Sequence, residues 1–152
     1  MINQKTDAQW EAMCHRCAKC CHAKYDLFVF FLADPLYVCK YLTNENSCEI
    51  YQQRLSKDDC SCISLREAVT KTGLLPKDCA YIHLNLNHKV LIFPKSEEDF
   101  WELIKFADNT LRQNIPESQI DVISFVLQRR KEMQGFKPIL EATGFKRLFL
   151  IN

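Results

Sequence analysis

No apolar run in this 152-residue chain exceeds the seven residues from Leu27 to Ala33, closed by Asp34 and Pro35. A helix that crosses a bilayer needs about 20 such residues, so no membrane span and no membrane partner are expected. The opening Met1-Ile2-Asn3-Gln4-Lys5-Thr6-Asp7 lacks an apolar core followed by small residues, so a secretory leader is not expected and the cytoplasm is the expected location. An excess of charge is missing as well: 20 basic residues stand against 19 acidic ones, with the balance kept on both sides of Leu84. A nucleic-acid binder shows a basic stripe that displaces counterions from phosphates, so no nucleic-acid partner is expected. The one dense basic cluster, Arg129-Arg130-Lys131, reads as a solvated helix face. Internal repeats and linkers are also missing, and the 47% apolar and 26% charged composition is that of an ordinary folded chain. One domain over residues 1–152 is expected, with the surface burial of a chain that needs no staple merely to fold.

Cysteine is missing from residues 80–152, and this absence gives the other half its meaning, because all nine cysteines lie between Cys14 and Cys79. In a secreted chain such density would read as a disulfide framework. An odd count, no leader and a reducing compartment favour metal ligation instead.

The chain reads as α+β, with an irregular cysteine-rich half at residues 1–84 and a helix-rich half at 85–152. Thr6 or Asp7 can cap a short helix that delivers the chain into the cysteines. Tyr25 to Ala33 reads as a buried strand, and Leu42 to Cys62 as loops pinned by their cysteines. Ser64 with Glu67 forms a capping box for a helix that stops at Gly73. Lys89 to Phe93 reads as a strand, after which Ser96 caps a helix with Phe100, Leu103, Ile104, Ala107 and Leu111 on one stripe. Asn114 and Pro116 are expected to open a further helix, with Ile120, Ile123, Val126 and Leu127 as its core and Gly135 as its stop. A short helix from Pro138 to Thr143 and a strand at Leu148 to Ile151 are expected to finish the chain.

Four thiols fall within eight residues, at Cys14, Cys17, Cys20 and Cys21. Two residues between cysteines let the chain turn so that both sulfurs reach one ion at about 2.3 Å. Adjacent Cys20 and Cys21 point apart, so one segment could feed two metal sites or two corners of a cluster. Cys39, Cys48, Cys60, Cys62 and Cys79 follow. With one of Cys60 and Cys62 spare, eight thiols suffice for two closed four-thiolate sites or for an iron–sulfur cluster with additional ligands. Thiolates select zinc or iron over magnesium or calcium. Haem attachment would need a histidine straight after a CxxC pair, and Cys17 is followed by Ala18 and Cys20 by Cys21. A thioredoxin-like pair would need a preceding strand, whereas a helix is expected there. His15 and His22 flank the cluster and read as exposed or supporting groups, and His83 and His88 as structural ones.

These residues resemble the CxxCxxCC family of zinc- or iron-chelating proteins, in particular its YcgN-like branch. The likeness spans about Asp7 to Leu84. It runs through Asp7-Ala8-Gln9-Trp10-Glu11, the four clustered cysteines, Cys39-Lys40-Tyr41-Leu42, Cys48-Glu49-Ile50-Tyr51 with Arg54, and Leu75-Pro76-Lys77-Asp78-Cys79-Ala80-Tyr81. The family usually has glycine where this chain has Ala18, so a positive φ is expected to be relaxed or absent there. Spacing to Cys79 within the family pattern favours Cys62 over Cys60. The resemblance therefore implies a ligand set of Cys14, Cys17, Cys20, Cys21, Cys39, Cys48, Cys62 and Cys79, holding zinc or iron, the latter as an iron–sulfur cluster in one version. Some members of that family are flagellin lysine methylases, which implies a fold able to serve protein modification. No separate methyl-donor site is visible here, and that activity is not carried over. The expected function is metal chelation without an assigned catalytic residue or protein partner. Iron–sulfur redox or modification chemistry and a zinc-ribbon-like interaction module are the alternatives.

Overall fold

A computed structural model of the chain describes residues 6–14, 17–43, 45, 47–56, 62, 65–70, 73–84, 89–133 and 135–138. Helix α1 (Asp7–Ala12) starts where Thr6 accepts from the Gln9 backbone while the Gln9 side chain returns the bond, a complete capping box. Helix α2 (Leu65–Thr70) ends ahead of Gly73, whose φ of +82° suits a residue without Cβ. A Cβ there would stand 2.2 Å from the Phe31 ring, so close approach fixes this glycine as firmly as its φ does.

The sheet is built on β2 (Phe31–Cys39). Strand β1 (His22–Asp26) runs antiparallel along one edge, while β3 (Leu91–Ile92) pairs parallel with the start of β2 and β4 (Phe136–Pro138) antiparallel with its end. The continuous strand expected from Tyr25 to Ala33 is instead two strands and a turn. Leu27 N–H donates to the Phe30 carbonyl and Val29 N–H to the Leu27 carbonyl, with Phe28 at φ 71° and exposed at the tip. Apolar character does not distinguish a strand from a tight apolar hairpin, and the Asp26 carboxylate helps by accepting from Phe28 N–H at 3.0 Å. Between the pairs His22↔Val38 and Lys24↔Ala33 the register slips, and β2 carries the extra residues. Pro35 lies in that bulge, where its lack of an N–H breaks no ladder bond.

Helix α3 (Glu97–Asn114) is capped by Ser96, which accepts from Asp99 N–H at 3.0 Å, as expected. Phe100, Ile104, Ala107 and Leu111 are buried with Tyr25, Leu27 and Leu32 of the β1–β2 hairpin, and Leu103 packs at the margin. Helix α4 (Val122–Glu132) opens six residues later than Pro116, because Asp121 supplies the cap by accepting from Ser124 N–H. Val126 lies in the core as expected, joined by Val122, and Ile123 packs against it, while Ile120, ahead of the helix, and Leu127 are exposed. A separate core joins Trp10, Ala68, Val69, Leu75 and Tyr81, with the Trp10 and Tyr81 rings stacked at 5.8 Å. The result is an α+β fold. Strand β4 was not expected, and Pro138 closes it rather than opening a helix; the rest of that helix, and the strand at Leu148 to Ile151, lie outside the described residues.

Candidate metal centre

The cysteine segment leaves α1 and enters β1 through a 3-10 turn at Lys19–Cys21. Ala18 precedes the turn at φ 63°, and its carbonyl accepts from Cys21 N–H at 2.9 Å. The positive φ expected to be relaxed is therefore retained. Its cost for an alanine, about 1 kcal/mol, is offset by packing of the buried Ala18 methyl with Val38 and Leu42. Backbone N–H groups also act on sulfur at two separate places. The Lys19 N–H bonds to the Cys17 sulfur, and the Tyr81 N–H bonds to the Cys79 sulfur two residues before it. The same relation of a sulfur to the second N–H after it thus occurs at both ends of the cysteine region. Such donors favour the thiolate form that a metal needs.

The thiols act on one another. Burial pushes the Cys17 thiol up, and Cys20 and Asp78 add to the shift. Burial likewise pushes Cys79 up to about 11, with Cys20, Cys17 and Cys14 contributing. Cys20 goes the other way: a hydrogen bond from Cys21 holds it at about 6, aided by Lys24. Cys21 is correspondingly pushed up by that bond to Cys20, by burial, and by the charges of Cys20 and Cys39. Lys24 donates to the Cys20 carbonyl at 2.5 Å and to the His22 carbonyl at 2.8 Å, and it feels Cys20, Cys21, Cys62 and Cys39. Cys20 is the common member: it acts on Cys17 and Cys79 on one side and, with Cys21, Cys39 and Cys62, on Lys24 on the other. Cys48 is placed separately, on a bridge to Leu42. Cys60 and His15 lie outside the described residues. Among the described residues no three His, Cys, Asp or Glu side chains are close enough together to enclose a metal ion. The donor chemistry fits zinc or iron, while the spacing does not amount to a closed site.

His22 was expected to be exposed or supporting, and it is completely buried. Its Nδ1 lies 2.7 Å from the Asp34 carbonyl oxygen, which can only accept, so Nδ1 carries the proton. Burial lowers the His22 pKa to about 4, keeping the ring neutral. The bulge also turns the Asp34 carboxylate inward, where it accepts from Tyr25 at 2.5 Å, from Leu36 N–H at 2.9 Å, and from Arg130 through Nε and Nη2, both at 2.8 Å. Arg130 reaches Glu97 as well, at 2.8 Å, and lies over the rings of Tyr37, Phe100 and Trp101. The expectation of a solvated basic face is wrong at Arg130. A run of cations on a helix carries no mark of which one faces inward, and the mark here is Asp34, a carboxylate inside an apolar run.

Comparison with known proteins finds relatives of moderate identity. A UPF0260 protein of Vibrio cholerae is 32% identical over 83 residues, which make up 53% of this chain and 57% of that one. A UPF0260 protein of Pasteurella multocida is 29% identical over 135 residues, 82% of this chain and 87% of its own length. Both of these relatives are UPF0260 proteins. A third UPF0260 protein, from Marinobacter nauticus, is 32% identical over 80 residues, 50% of this chain and 53% of that protein. The match thus spans little more than half the length of the Vibrio and Marinobacter UPF0260 proteins. No family model and no solved structure matches the chain.

Proposed function

We propose that this protein is a cysteine-cluster metal-binding protein that chelates zinc or iron. The observation that carries the reading is the set of four thiols within eight residues, Cys14, Cys17, Cys20 and Cys21, on a turn whose Lys19 meets Asp78, the neighbour of Cys79, at 2.6 Å. An N–H donor stabilises a thiolate far more than a neutral thiol, so the donors from Lys19 to Cys17 and from Tyr81 to Cys79, at opposite ends of the cysteine region, add support by opposing the effect of burial. The resemblance to the CxxCxxCC chelating family and its YcgN-like branch points the same way. In this reading Cys14, Cys17, Cys20 and Cys79 would hold one ion, and Cys21, Cys39 and Cys62 would contribute to a second, with Cys48 as a further ligand. Binding would draw the thiols together and release their protons, coupling affinity to pH. Among the described residues no helix is long and apolar enough to cross a membrane; a cytoplasmic location is part of the proposal.

The test is elemental analysis of protein purified without oxygen, together with its absorption spectrum. Zinc or iron at one or more ions per chain, lost on alanine substitution of Cys17 or Cys79, is the expected result. A tetrathiolate zinc protein is colourless, and an iron–sulfur protein is brown. Protein that carries neither metal and takes up neither under reducing conditions would overturn the proposal.

A further inference from the structure

Lys19 occupies a position between cysteines proposed as ligands, and its side chain is buried to 4% exposure. Its Nζ lies 2.6 Å from Asp78 Oδ2, while about half of the Asp78 side chain faces solvent. The partners are 59 positions apart in the chain, yet each adjoins a proposed ligand: Lys19 precedes Cys20, and Asp78 precedes Cys79. Local structure makes each end stiff. The Lys19–Cys21 turn is closed by the bond from Cys21 N–H to the Ala18 carbonyl, and the Asp78 side by the bond from Cys79 N–H to the Pro76 carbonyl at 3.1 Å. The Lys19 ammonium also lies 5.9 Å from the centre of the Phe93 ring, which meets the His22 ring edge-on at 4.6 Å.

A buried lysine is a costly way to hold two segments together, because its charge must be taken out of water. An apolar pair of similar volume would hold them with less penalty. What an ion pair adds is register, since the ammonium must meet one carboxylate at one place. We infer that the Lys19–Asp78 ion pair is a latch that sets Cys79 against the Cys17–Cys21 turn, so that thiols from opposite ends of the cysteine region can share one ion. The purpose assigned to the latch rests on the metal-binding reading, whereas its existence is a property of the chain itself. Lys19 and Asp78 are positioning residues and touch no metal. Their charges also bear on the ligands, with Lys19 favouring the Cys17 thiolate and Asp78 opposing it. Asp78 itself is held below the usual carboxylate range, because the Lys19 hydrogen bond and charge outweigh its burial.

The latch and its purpose are separated by two readouts on the full-length chain. The first is bridging of thiols by dibromobimane in reduced, chelator-treated protein, with the bridged peptides identified by mass spectrometry. The second is retention of zinc against a chromophoric chelator. In the parent, Cys79 should be bridged to Cys17 or Cys20. Asp78→Asn should lower that product about fivefold, the effect of losing one part-exposed charge pair, and should release zinc sooner. Asp78→Glu, which restores the carboxylate, and Lys77→Gln, an exposed neighbour, should match the parent. Should Asp78→Asn fold poorly, Lys19→Met with Asp78→Leu removes both charges without stranding the ammonium, and the same drop in bridging is expected. Parent-level bridging in the variants that remove the ion pair would overturn the latch, whatever their zinc retention. Strong bridging in a parent that holds no metal, reduced in the variants that remove the ion pair, would uphold the latch and overturn the metal-binding reading.

Discussion

His22 and Asp34 show how much of the chemistry is decided one residue at a time. The buried His22 ring is held at about 4, below the usual 6.5, so the folded chain binds its proton less tightly than the unfolded chain does. Its contribution to stability is complete above about pH 6.5 and is lost as pH falls toward 4, to a total of about 3 kcal/mol. Urea midpoints measured from pH 7 to 4.5 should therefore fall more steeply for the parent than for His22→Leu; parallel slopes would contradict the assignment. The thiols offer a second test. Cys20→Ala and Cys21→Ala should each lower metal content, because adjacent side chains diverge and serve different sites. Cys62→Ala should lower it too, while Cys60→Ala should leave it nearly intact, since a spare thiol contributes only small packing. Metal per chain, measured beside a count of reactive thiols, checks all four; loss in Cys60→Ala alone would reverse the choice of ligand. The candidate ligands are a reading of cysteine spacing, which the sequence displays directly. The N–H donors from Lys19 and Tyr81 were not legible there, because a backbone donor has no side-chain signature.

At the scale of elements, capping and periodicity carried most of the information. Thr6, Ser96 and Gly73 mark their helix boundaries through chemistry that is local in sequence, and the stripe from Phe100 to Leu111 needs only a 3.6-residue period. The missed features depend on distant partners. The α4 start is fastened by Asp108 of α3, whose carboxylate accepts from Val122 N–H at 3.1 Å, and β4 is strand because three residues find the edge of β2. Arg130 is the clearest case, fastening α4 to β2 through Asp34 and to α3 through Glu97. Removing it would leave Asp34 buried and unpaired by a cation, so Arg130→Ala should cost about 3 to 5 kcal/mol. Arg130→Lys keeps the charge but loses the two-armed contact, at about 1.5 to 3 kcal/mol. Chemical denaturation of the variants decides this, and changes under 0.5 kcal/mol, the ordinary size for a solvated surface residue, would refute it. Gly73→Ala should cost about 2 kcal/mol or more, combining a disfavoured φ with a Cβ driven into the Phe31 ring.

On the scale of the whole molecule, the two cores divide the work unequally. The α3–α4 pair buries Phe100, Ile104, Ala107, Leu111, Val122 and Val126 against the β1–β2 hairpin, an apolar core that needs no metal. The cysteine half has short helices, 3-10 turns and a smaller core around Trp10 and Tyr81, whose hydroxyl donates to the Trp10 carbonyl. The sheet ties these parts together, since β3 and β4 both depend on β2 for their pairing. A cut near Leu84 would strip β2 of those neighbours and expose the apolar stripe of α3, so both fragments should be poorly soluble and neither should unfold cooperatively as a monomer. Metal should therefore act on one part more than the other. If thiolate ligation contributes folding free energy, a strong chelator should raise amide exchange on the order of tenfold or more at residues 17–21 and 76–84, where the chain forms turns rather than long helix or sheet. Exchange along α3 and the buried face of α4 should change little, because their protection comes from packing. Hydrogen exchange read by mass spectrometry on the loaded and the chelated protein measures both regions in one sample. Complete removal of metal with unchanged protection at residues 17–21 and 76–84 would show that those turns are held by Lys19, Asp78 and the Trp10–Tyr81 contact alone. Equal loosening of α3 would show instead that the two cores melt as one cooperative unit.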